Sequence, residues 1–151
     1  MNGIDVLIDG FGRVQEAVAD AADGLDASAL THRVGHDANT IAWLLWHLTR
    51  VQDDHVADVA GTEQVWTAQG WSDRFRLPLP VDDTGFGHTR DEVASVRVDS
   101  AELLTGYHDA VYTQTVSYLE RLTEEALDEV IDETWDLHGL GGALPGLGGL
   151  G

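Results

Sequence analysis

The sequence has no cysteine and no lysine, and only three of its 151 residues are proline. Without cysteine there can be no disulfide, no thiolate metal ligand and no cysteine nucleophile. Its absence says nothing about the redox compartment, which tolerates cysteine-free chains on either side. Positive charge is scarce: eight basic residues, all arginine, stand against 27 acidic ones, for a formal charge of −19. That balance argues against a nucleic-acid partner, because phosphate-backbone binding works through Lys/Arg neutralisation. It argues equally against docking on an anionic membrane surface. No run approaches the ~20 apolar residues of a membrane span. Met1-Asn2-Gly3-Ile4-Asp5 lacks the positive and apolar regions of a signal peptide. The expectation is one soluble, cytoplasmic domain.

What the chain does contain is helical periodicity. Ile4, Leu7, Ile8, Phe11, Val14, Val18, Ala21 and Leu25 recur at steps of three and four, the stripe of an amphipathic helix. Gly10 and Gly12 weaken it by up to ~1 kcal/mol each relative to alanine, and Gly24 and Asp26 read as stop signals. A second helix opens at Asn39 as N-cap, runs through Ile41, Leu44, Leu45, Leu48, Val51, Val56 and Val59, and closes at Gly61. A third begins at Asp99 with Glu102 in capping-box position, and its stripe runs from Leu103 and Leu104 to Leu122. A short fourth run spans Thr123 to Val130.

Residues 62–98 have no long apolar period. They read as a long connection with one helical turn from Thr89, whose aromatics and arginines (Trp66, Trp71, Arg74, Phe75, Arg76) suit an ordered cover. Leu137 to Gly151 has seven glycines in fifteen residues and reads as a flexible tail. The domain is therefore expected over residues 1–136, with a Gly/Leu-rich tail over 137–151.

Histidines are the main ligand or catalytic material. With roughly 100° per residue, His55 projects near the centre of the second helix's stripe and His47 lies at its edge with Trp43. Helical bundles build metal sites from one such residue per facing helix, although a hydrogen-bonded, partly buried histidine is the simpler reading of each. His138, preceded by Asp132, Glu133 and Asp136, is poorly placed at the mouth of the tail. No HExxH, Walker loop or G-x-S-x-G occurs. The neighbours Asp53 and Asp54 do not face each other on a helix and are expected to be solvated. Trp43 and Trp46 are expected to make core or cover contacts.

The run from Asn39 to His55, NTIAWLLWHLTRVQDDH, resembles the second helix of the DinB-like superfamily, and more narrowly its actinobacterial DUF664 or mycothiol-dependent branch. Gly70-Trp71-Ser72-Asp73-Arg74-Phe75, Thr84-Gly85-Phe86-Gly87-His88-Thr89 and the stretch from Leu103 to Val111 add to the likeness, which extends over residues 4–136. The resemblance implies an all-α, up-down four-helix bundle with a long loop between helices 2 and 3. It also implies a divalent metal (zinc, nickel or iron) whose first ligand is the histidine of a His-Leu step, here His47. The other ligands would come from helix four, where this chain enters its glycine tail, so the fourth helix is expected to be short or lost.

Implied with the fold is a metal-dependent S-transferase that activates a small, mycothiol-type thiol toward an electrophilic substrate. The alternative from a different class is a non-catalytic helical module with a vestigial metal site, which self-associates as a homodimer to complete its bundle.

Overall fold

Three helices of twenty residues carry the architecture: α1 (Gly3–Ala22), α3 (Ile41–Ala60) and α7 (Ala101–Glu120). The computed structural model describes residues 2–35 and 37–122. Among these the fold is all-α, and the one extended feature is an isolated bridge between Asp26 and Ser100. Helix α7 packs against both α1 and α3. The expected fourth run (Thr123 to Val130), the tail and His138 lie outside the described residues. No described helix is long and apolar enough to cross a membrane.

Local signals explain most boundaries. Asn2 and Asp5 form a reciprocal capping box at the start of α1. Asp26 does not stop a helix but starts one: its carboxylate accepts from Ala29 N at 2.8 Å and caps the short α2 (Ala27–Thr31). The N-cap of α3 is Thr40, one residue beyond the expected Asn39, with its hydroxyl accepting from Trp43 N at 3.0 Å. Helix α7 starts at Ala101 behind Ser100, which makes no side-chain capping bond, so the expected Asp99 capping box does not form.

The connection over residues 62–98 is more ordered than its aperiodic sequence suggests. It holds α4 (Val65–Ala68), α5 (Trp71–Phe75) and α6 (Arg90–Ser95). Only α6 has the predicted start, a Thr89–Glu92 capping box. The other two are too short to show a period and are held by packing. Trp66 and Phe75 are buried against Tyr107 of α7, with ring centroids 5.0 and 5.8 Å from it. Trp71 reaches α7 at Gly106, where an added Cβ would lie 2.8 Å from the indole. The aromatics thus form the expected cover.

The buried face of α3 differs from the apolar stripe. Ala42, Trp46, Thr49, Asp53 and Ala57 point inward together with Trp43, Leu45 and Arg50, whereas Leu44 and Val59 are exposed and His55 faces solvent. The polar members are the reason. Arg50 and Asp53 are 0% and 2% exposed, so Asp53 is not the solvated charge expected from its sequence. Its carboxylate accepts from Val65 N at 2.9 Å, Trp66 N at 2.8 Å and the Tyr107 hydroxyl at 2.7 Å. It thereby caps α4 from the side and ties it to α7. Burial, with the neighbouring Asp53 charge, pushes the Tyr107 hydroxyl far above its ordinary pKa and keeps it a donor.

A second buried polar pair joins α3 to α7. The Thr49 hydroxyl donates to Leu45 O at 2.8 Å and so accepts from His108 Nδ1 at 2.9 Å. Nε2 of His108 then carries a buried lone pair with no partner among the described residues. Desolvation lowers the His108 pKa, and the nearby Asp109 only partly offsets this.

Two predictions follow from these contacts. Asp53→Asn leaves one oxygen for three donors and should lower stability by about 3 kcal/mol, against about 1 kcal/mol or less for Asp54→Asn. Urea denaturation of both variants checks this, and equal losses would contradict the capping role. For His108, unfolding restores a pKa near 6.5, so the unfolded chain gains a proton that the folded chain refuses. Stability from this group is present above about pH 6.5 and lost as pH falls below it. Chemical denaturation at several pH values should therefore give a shallower acid-side slope for His108→Gln than for the wild type.

Candidate metal centre

His47 sits in the middle of α3, one turn after Trp43, and the two rings stack with centroids 4.6 Å apart and planes 14° from parallel. The segment Pro80–His88 crosses over them. Arg50 holds its near end by donating from Nε to Asp83 O at 3.2 Å. Asp83 then accepts from Gly85 N at 2.8 Å, and His88 N closes a turn to Gly85 O at 3.2 Å. Gly85 makes this approach feasible. Its φ is +94°, and a Cβ there would lie 2.8 Å from His47 Nδ1 and 2.9 Å from the Trp46 ring.

The crossing segment fixes where protons sit on two histidines. Thr84 O lies 2.5 Å from His47 Nδ1, and a carbonyl only accepts, so Nδ1 carries the proton. Nε2 of His47 is then a bare lone pair, with no hydrogen-bond partner among the described residues. This is how metal-ligating imidazoles are normally oriented, one nitrogen donating to an outer carbonyl and the other left to bind.

His88 is wired the opposite way. The Trp43 indole donates to its Nδ1 at 3.0 Å, so Nδ1 accepts and Nε2–H donates to Asp83 at 2.8 Å. Burial raises the Asp83 pKa, but the hydrogen bonds from His88 and Gly85 outweigh it and hold the carboxyl below its ordinary value. Glu92 closes the group from the first turn of α6. Its hydrogen bond from the Thr89 backbone lowers its pKa.

Asp83, His88 and Glu92 each offer a ligand atom within 4.8 Å of the others, a group that could hold a metal ion. The donors suit a divalent cation in kind. The hydrogen-bonding of His88 does not: a cation at Nε2 would have to displace the proton, and Nδ1 could go on accepting from Trp43 only on an imidazolate. His47 is not a member of this group. Of the residues singled out from the sequence, His47 is half-buried with Nδ1 bonded to Thr84 O, His55 is exposed, and His138 lies outside the described residues. Sequence reasoning missed the Asp83–His88–Glu92 group, although His88 beside the N-cap Thr89, with Glu92 in the capping-box position, was a usable signal.

Gly85→Ala should release the clamp on His47, because the added methyl cannot fit at this φ without moving the segment. A stability loss of about 1–3 kcal/mol is expected, together with loss of the His47 Nδ1–H signal from slow exchange in NMR spectra. Retention of that signal would contradict the clamp.

The comparisons bear on the fold. A solved structure described as a conserved protein of locus from Enterococcus faecalis superposes with a TM-score of 0.75 at 27% identity, covering 83% of this chain and 74% of that one. Curated proteins gave no match. The family model for the DinB superfamily matches residues 11–144. An all-α fold whose long helices are bridged by a structured connection, matched over most of its length, identifies this chain as a member of the DinB superfamily.

Proposed function

We propose that this protein binds a divalent metal (zinc, nickel or iron) through His47 and uses it in thiol S-transferase-type chemistry, within the actinobacterial DUF664 or mycothiol-dependent branch. The observation that supports this reading is the hydrogen bond from His47 Nδ1 to Thr84 O, which leaves Nε2 free and fixed in direction. When bound, such a cation ionises a coordinated thiol at neutral pH and turns it into a nucleophile. The chain's own residues supply the setting. Trp43 holds the imidazole plane by stacking, and Thr84 O, in the segment over residues 80–88, occupies Nδ1 and holds its tautomer. The expected partners are a small mycothiol-type thiol and an electrophilic substrate in the cytoplasm.

A competing reading, a self-associating helical module, draws on Val6 and Val14 of α1, which stay 56% and 40% exposed. One experiment separates the two. Metal content of untagged protein, by elemental analysis after equilibration with zinc, nickel or iron, should be near-stoichiometric in the wild type. It should fall to background in His47→Ala, with the helical circular dichroism unchanged. Retention in His47→Ala with loss in His88→Gln would transfer the metal to the Asp83–His88–Glu92 group. No metal in any variant would overturn the reading in favour of the module.

A further inference from the structure

We propose that the groove between α5 and the start of α7 is a binding site for a small organic acid, one carboxylate on an apolar body. The groove encloses about 710 Å³, within the usual range for small-molecule sites. Three of the chain's eight arginines border it: Arg74, Arg76 and Arg97. In a chain with 27 acidic residues, arginines would ordinarily find carboxylates, as Arg13, Arg50 and Arg90 do. Among the described residues, Arg74, Arg76 and Arg97 make no ion pair and no side-chain hydrogen bond. Against these three guanidiniums the groove sets two carboxylates, Asp73 and Asp99, which leaves one net positive charge for a single anion to balance.

One of the three is held in place, and the backbone fixes the position of a second. The Arg74 guanidinium lies over the Trp71 ring, 4.4 Å from its centroid, a contact that engages its π face and consumes no N–H donor. Arg76 follows the end of α5 with φ of +51°, the one non-glycine residue with positive φ among the described residues. That left-handed turn costs backbone energy and places Arg76 on the groove. Phe75, Val98 and Leu103 supply the apolar part of the lining, Phe75 and Val98 each 4% exposed and Leu103 partly buried beside them. Asp73 and Asp99 also line the groove. Their charge penalises polyanions, which is why a single carboxylate suits the site better than a nucleotide or a phosphorylated chain.

Phenylacetate is a suitable probe, with phenylacetamide as its neutral counterpart and inorganic phosphate as an anion lacking the apolar body. Full-length ¹⁵N-labelled protein is titrated with each while arginine Nε–Hε signals are followed. Phenylacetate should shift the Arg76 and Arg97 signals saturably. Its affinity should weaken about tenfold or more in Arg76→Gln and in Arg97→Gln, remain unchanged in Arg13→Gln, and fall as salt is raised. The amide and phosphate should bind far more weakly. A non-saturating response, equal affinity in the arginine variants, or equal affinity for the amide or for phosphate would overturn the proposal. Because the groove contains neither His47 nor its neighbours, these outcomes are independent of metal binding.

Discussion

Arg50 and Asp53 lie one turn apart on α3, fully desolvated, with Arg50 Nη1 3.9 Å from the Asp53 carboxylate. Burying two charges this deeply is favourable only when hydrogen bonds satisfy the rest of each group, and here the connection between the long helices supplies them. Asp53 takes the free amides at the start of α4. Arg50 donates to Gln64 at 2.6 Å and to the carbonyls of Val81 and Asp83, while lying 5.0 Å from the Trp66 ring centroid. A helix that was apolar throughout would offer the backbone of this connection no hydrogen-bond partner, and aromatic packing on α7 alone would have to hold residues 62–98.

That path determines the chemistry available at the candidate site. With Asp83 O held by Arg50, the next carbonyl, Thr84 O, falls on His47, and Asp83 itself falls on His88. Two neighbouring imidazoles, both in contact with Trp43, therefore carry their protons on different nitrogens. One has no partner at Nε2 among the described residues and the other is closed there by a carboxylate. The distinction comes from backbone placement, since both are histidines in similar aromatic surroundings.

How much of this the sequence disclosed follows the length scale of each signal. The three long helices were legible because their periods repeat over five turns, and Thr89–Glu92 because a capping box is local. Helices α4 and α5 were not, being shorter than two periods of any pattern. The face of α3 was misjudged because hydrophobicity ranks Leu44 and Val59 above Arg50 and Asp53, whereas burial here follows hydrogen-bond partners brought in by residues 64–83. Asp53 reads as a surface charge until Tyr107, 54 residues later, is known to donate to it. His47 was found from its family-like context, yet its wiring to Thr84, 37 residues away, has no sequence signature.

Proton placement at those two rings is what sets His47 apart from His88. Long-range ¹H–¹⁵N spectra of the side-chain nitrogens, recorded near pH 8 where ordinary histidines are neutral, report it directly. The account predicts opposite tautomers: Nδ1–H for His47, with Nε2 showing the shift of an unprotonated nitrogen, and Nε2–H for His88. Finding Nε2–H on His47, or the same tautomer on both, would contradict it.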